Sequence, residues 1–207
     1  GLHDPEVNES AVAALKNEMQ IYLETKAEFD EQHNQIKISC KDNTIVVDKV
    51  LFAMGRRPNI DKMGLENLGI SFDKDGLPPF DRQTMQIADL PIFIAGDANT
   101  DTPLLHEAID EGHIAGYNAL QEKISCFKRR TPLAITFTDP NIVRVGRRFQ
   151  DLQASTDIVV GKADFSKQSR ARMSNHNNGA LRIYAEKKSC ALLGAEMAVP
   201  GGEHFGH

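Results

Sequence analysis

Two uninterrupted apolar runs, each stopped by a glycine and a polar residue, constrain this chain most. Val50-Leu51-Phe52-Ala53-Met54 ends at Gly55-Arg56, and Ile92-Phe93-Ile94-Ala95 ends at Gly96-Asp97. Runs without polar alternation predict strands covered on both faces, as in α/β sheets. Ligands of open α/β sheets sit outside the carboxyl ends of such strands. A glycine there lets backbone come close to a ligand. A carboxylate beside it can accept hydrogen bonds from hydroxyls such as those of a ribose or ribitol. A helix is predicted over 103–120, with Thr102 as N-cap, Pro103 at the first helical position, and Glu107, Asp110 and Glu111 early along it. Its free N–H groups lie behind Asp97 and suit a ligand that becomes negative. Gly96-Asp97 also reads as a turn that merely ends a strand, and spacing alone leaves both readings open.

Around these runs the chain alternates short elements. A first helix is expected from Val12, Leu15 and Met19, capped by Asn8 or Ser10. Ile21-Tyr22-Leu23, Ile36-Lys37-Ile38 and Thr44-Ile45-Val46-Val47 are β-prone, with Asp42-Asn43 as a turn between the last two. Asp61 to Gly69 predicts a helical turn and Asp73 to Pro79 a loop. Lys128-Arg129-Arg130-Thr131-Pro132 marks a boundary. Beyond it, strands are predicted over 133–137, 142–145, 158–165, 181–184 and 191–199, and Asn177-Asn178-Gly179 signals a hairpin turn. The last third therefore reads as a mostly antiparallel α+β unit.

Composition narrows the function classes. Twenty-four Lys and Arg against 29 Asp and Glu give a net charge of -5, which is no footprint for nucleic acid. Arg129-Arg130 and Arg147-Arg148 fit solvated or interface charges better than a nucleic-acid patch. No apolar run reaches the roughly 18 residues of a membrane span. Cys40, Cys126 and Cys190 are odd in number and far apart, so neither a disulfide framework nor a metal knuckle is expected, and a cytoplasmic setting fits. The sequence has no G-x-G-x-x-G, Walker loop, H-E-x-x-H or C-x-x-C. It opens at Gly1 without an initiator Met and stops at Gly201 to His207, where a helix starts, so a piece of a longer protein is expected. His106 and His113 share a helical face; a metal site is conceivable there, but a histidine beside a bound ligand or at an interface is the stronger reading. Glu203, His204 and His207 read as a helix turn rather than a metal cluster.

In order along the chain, these segments resemble the flavoprotein disulfide reductases. Val50 to Asn59 resembles the segment linking their NAD domain back to the FAD domain. Ile92 to Asp97 is similar to their second FAD motif, and Leu104-Leu105-His106-Glu107-Ala108 with Glu111-Gly112 to the helix start that follows it. Thr136 to Gly146, Ser169-Arg170-Ala171-Arg172 and Leu193-Gly194-Ala195-Glu196 resemble parts of their dimerisation domain. The dihydrolipoamide dehydrogenase branch is the most similar.

The resemblance implies part of a two-dinucleotide-binding-domain (FAD/NAD) flavoprotein, α/β, followed by an antiparallel α+β dimerisation domain. The implied division is 1–57 as the end of the NAD domain, 58–127 as the second FAD segment, and 128–207 as the interface domain. FAD would meet Gly96, Asp97, Leu104, Leu105 and His106: Asp97 on the ribityl chain, and the Leu105 N–H near the pyrimidine carbonyl. NAD would meet Ala53, Met54, Gly55 and Arg56. Arg56 has a second candidate role, pairing with a carboxylate at a domain junction. The implied reaction carries electrons from a dithiol through a disulfide and flavin to NAD. Implied partners are a second copy, and a 2-oxoacid dehydrogenase complex or a small dithiol. The family's Gly-rich loops and redox cysteine pair would precede Gly1, and its catalytic His-Glu pair would follow His207. No catalytic residue is therefore assigned, and the chain itself is expected to be inactive. Mercuric reductase, glutathione reductase and soluble transhydrogenase relatives share these motifs. A noncatalytic dimerisation module is the alternative of a different class.

Overall fold

The computed structural model describes residues 2–32, 35–41 and 43–207. Asp42, expected in a turn, lies outside the described residues. In chain order the elements begin with helix α1 (Pro5–Lys16), strands β1 (Ala27–Gln32), β2 (Gln35–Cys40) and β3 (Asn43–Val47), and helix α2 (Leu105–Ala119). They continue with β4 (Leu133–Thr136), β5 (Asn141–Gly146), α3 (Phe149–Leu152), β6 (Ile158–Asp164) and α4 (Ser169–Met173). Strands β7 (Ala180–Glu186) and β8 (Leu192–Val199) and helix α5 (Gly202–Gly206) complete the series. Two compact units result: Gly1–Leu51 with Thr131–His207, and Phe52–Arg130.

In the first unit, β4-β5-β8-β7-β6 form a five-stranded antiparallel sheet. Alternation along β8 sorts its faces. Met197 and Val199 join Val143, Phe165 and Ala171 in one core. Ala198, between them, turns to the other face and meets Val7 and Ala11 of α1. Glu196 shares that second face. It is wholly buried and accepts hydrogen bonds from the backbone N–H groups of His3 (2.6 Å), Asp4 (2.9 Å) and Phe149 (3.1 Å). Asp4 caps α1 through Glu6 and Val7 N–H, accepts from Tyr184 Oη at 2.9 Å, and pairs with Arg182 at 3.0 Å. A buried polar network thus fixes α1 to the sheet, each carboxylate satisfied by several donors. The cap is Asp4, not Asn8 or Ser10, because Asp4 precedes Pro5 at the first helical position. The buried face is Val7, Ala11 and Ala14, and Met19 lies beyond the helix, exposed.

The remaining differences have similar local causes. Ile21-Tyr22-Leu23 forms no strand, since no neighbour pairs with it among the described residues. Ile36–Ile38 and Thr44–Val47 are strands of a β1-β2-β3 antiparallel meander. Asn177-Asn178-Gly179 is not a hairpin turn: a 3-10 turn (Phe165–Lys167) and α4 intervene between β6 and β7. Gly179 serves close approach instead, because a Cβ there would lie 2.0 Å from the Ala198 carbonyl oxygen.

Neither of the two expected buried strands forms. Leu51, Phe52 and Met54 are exposed at 89%, 59% and 85%, since an apolar run becomes a strand only where another strand completes its ladder. Ile92–Ala95 finds partial partners. Ile87 N–H donates to Ile92 O, and Ile94 N–H donates to Met85 O, burying Met85, Ile87 and Ile94. The helical turn expected over 61–69 is a 3-10 turn, Leu65–Leu68, between left-handed Gly64 and Gly69.

Candidate functional site: the Gly96-Asp97 turn on helix α2

Gly96–Ala98 is a single 3-10 turn, closed by Asn99 N–H donating to Gly96 O at 3.0 Å. Gly96 sits at φ +66°, and a Cβ on it would stand 3.2 Å from the Ala108 Cβ. Only glycine meets both conditions without strain. The turn therefore rests directly on the first turn of α2. That helix starts two residues later than expected, with Leu104 as N-cap and Pro103 outside it. No side chain caps it, so Thr102 does not act as predicted.

The glutamates of α2 face inward. Glu111, 2% exposed, accepts through Oε2 from Gly96 N–H and from Asn99 Nδ2, each at 2.7 Å. Arg129 Nη2 stands 3.4 Å from Glu111 Oε1 and 2.5 Å from Glu107 Oε2, and Arg129 Nε stands 3.6 Å from Asp110. This ion cluster is largely shielded, unlike surface pairs. At the other end of α2, Asn118 donates to Thr84 O and Ser125 O and accepts from Ser125 N–H.

The predicted residues distribute as follows. Gly96 is buried; Asp97, Leu105 and His106 are exposed; Leu104 is half-buried. Asp97 is 3.7 Å from Arg56, with both side chains well exposed, so the pair is a weak, screened one. Ala53, Met54, Gly55 and Arg56 lie in an exposed segment without regular structure. The structure thus unites Gly96, Asp97 and the start of α2, and Arg56 of the other segment reaches Asp97. Sequence reasoning missed Asn99, and it took Glu111 as a charge early along the helix and Arg129 as solvated or at an interface. The available signal was the i, i+4 spacing of Glu107 and Glu111, which puts both on one helix face.

Comparison with known proteins identifies the family. The family model for pyridine nucleotide-disulphide oxidoreductases matches residues 2–112, and that for the dimerisation domain of the same family matches residues 133–205. The chain belongs to the pyridine nucleotide-disulphide oxidoreductases. Among this family, dihydrolipoyl dehydrogenase of Haloferax volcanii is 36% identical over 163 residues, covering 77% of this chain and 34% of the relative. Dihydrolipoyl dehydrogenase of Bacillus subtilis is 31% identical over 164 residues, covering 78% and 34%. The chain thus spans about a third of the length of these curated relatives. In fold it is similar to the HOCl-induced flavoprotein disulfide reductase of Escherichia coli, with a TM-score of 0.80 at 23% identity over 97% of this chain and 47% of that one. LpdA of Mycobacterium tuberculosis gives 0.76 at 24%, over 95% and 44%. No helix among the described residues is long and apolar enough to cross a membrane.

Proposed function

We propose that this chain supplies the second FAD-contacting segment and the interface domain of a dihydrolipoyl dehydrogenase-type oxidoreductase. One observation carries the reading: the Gly96–Ala98 turn is pinned by Glu111 while Asp97 stays exposed beside the uncapped start of α2. These residues fit a flavin nucleotide. Gly96 takes the left-handed φ of the turn and packs it against Ala108, and the Asp97 carboxylate can accept from ribityl hydroxyls. The Leu105 N–H at the start of α2 adds a positive pole for charge gathering on the ring. When bound, FAD supplies the two-electron chemistry between dithiol and nicotinamide. The protein residues here bind and orient it.

NAD contact at Ala53, Met54, Gly55 and Arg56 is proposed on family membership alone, since that exposed segment forms no comparable cradle. The expected partners are a second copy through the 133–205 domain and, in the cytoplasm, a small dithiol or a 2-oxoacid dehydrogenase complex. Alone, with Cys40, Cys126 and Cys190 far apart in sequence, the chain is expected to be colourless and inactive. The test is to express the complete open reading frame that encodes it. A yellow protein with a flavin absorption band that oxidises NADH supports the reading; a colourless, folded product refutes it.

The match of 133–205 to a dimerisation domain also supports a noncatalytic dimerisation module. Light scattering tests this module, and a clean monomer at high concentration counts against it.

A further inference from the structure

We propose that Glu111 is the positioning residue of the flavin-facing turn, holding Asp97 in place through Gly96 and Asn99, with Arg129 as its counter-ion. The proposal rests on the cofactor reading above and assigns the side chain that shapes that site. One oxygen, Glu111 Oε2, receives both the Gly96 N–H and the Asn99 amide, each at 2.7 Å. Those donors bracket Asp97 and Ala98, so a single atom fixes both ends of the turn. Ala108, three residues earlier on α2, lies under Gly96. Residues three apart share a helix face, so Ala108 is the floor of the turn and Glu111 its clamp.

A carboxylate at this depth is costly unless it is paired and hydrogen-bonded. Arg129 meets that need from the far side, at 3.4 Å from Oε1, while also binding Glu107 at 2.5 Å. Both glutamates are therefore engaged behind the turn, leaving Asp97 outside the cluster and exposed. The placement of Asp97 relative to the N-terminus of α2 follows from this clamp. A ligand that uses a hydroxyl on Asp97 and negative charge at the helix start depends on that separation.

The experiment uses the protein expressed from its complete open reading frame, stripped of flavin and titrated with FAD by fluorescence. Glu111→Ala weakens FAD binding by about tenfold to a hundredfold, as for loss of charge-assisted hydrogen bonds. Glu111→Gln, which keeps an acceptor oxygen, recovers most of that affinity. In an Asp97→Ala background, Glu111→Ala costs less than about threefold, because the clamp acts through Asp97. Gly96 amide exchange accelerates in Glu111→Ala but not in Asp97→Ala. Should Glu111→Ala fail to fold, Glu111→Asp withdraws the carboxylate by one methylene and is read in the same way. Equal losses in both backgrounds, or affinity within about twofold of wild type, overturn the proposal. A wild-type protein that binds no FAD defeats the cofactor reading instead, and Gly96 exchange then decides alone whether Glu111 holds the turn.

Discussion

Replacing Glu196 should release α1 from the five-stranded sheet. Its side chain is wholly buried and accepts from three backbone N–H groups, two on Oε2 and one on Oε1. Glu196→Gln retains one oxygen. If that oxygen keeps His3 and Asp4, the new NH2 confronts the Phe149 N–H, donor against donor. The cost is one charge-assisted bond plus an unpaired donor, about 2–4 kcal/mol. Glu196→Ala removes all three acceptor contacts and leaves a cavity, for about 3–5 kcal/mol. The neighbouring Asp4, Tyr184 and Arg182 share the network, so single losses will not add. Denaturant unfolding gives the total, and hydrogen exchange at Val7 and Ala11 gives the local effect. Loss of α1 protection in the order Ala, Gln, wild type is expected. Variants within about 0.5 kcal/mol of wild type, with α1 amides unchanged, would refute the reasoning.

Further expectations concern the same elements. Burial, then the hydrogen bond to Asp4 and the nearby Glu196 charge, raise the Tyr184 phenol above its usual value. A raised phenol binds its proton more tightly when folded, so stability is full below about pH 10 and falls as pH rises further. Tyr184→Phe should cost about 1–3 kcal/mol near neutrality and flatten that alkaline loss, as followed by unfolding at several pH values. Gly194→Ala would place a Cβ 2.2 Å from the Arg147 carbonyl oxygen, and should lower the first unit's melting temperature or prevent folding. Asn118→Ala should loosen the end of α2, seen as faster exchange of the Ser125 amide, with a loss of about 1–3 kcal/mol.

How much could be read beforehand depended on where each element finds its partners. The sheet strands β4 to β8 were legible because their alternation and their hydrogen-bond partners both lie within 133–199. The runs at Val50 and Ile92 look like strands by composition, yet strand formation is a property of pairs, and among the described residues neither run joins a strand ladder. Gly96 and Asp97 stood out because a glycine and a carboxylate after an apolar run are local signals. Glu111 and Arg129 did not, since their roles come from folding α2 back over the turn and bringing in a residue 18 positions away. Asp4 was missed for a related reason: its cap is local, but its burial depends on Tyr184, distant in sequence.

A crystal structure of the flavin-bound protein, expressed from its complete open reading frame, tests the central claim most directly. The account predicts an Asp97 carboxylate oxygen within about 2.6–3.2 Å of a ribityl hydroxyl, with the Gly96 N–H still on Glu111. A flavin bound away from Asp97, or an Asp97 engaged only with Arg56, would contradict it.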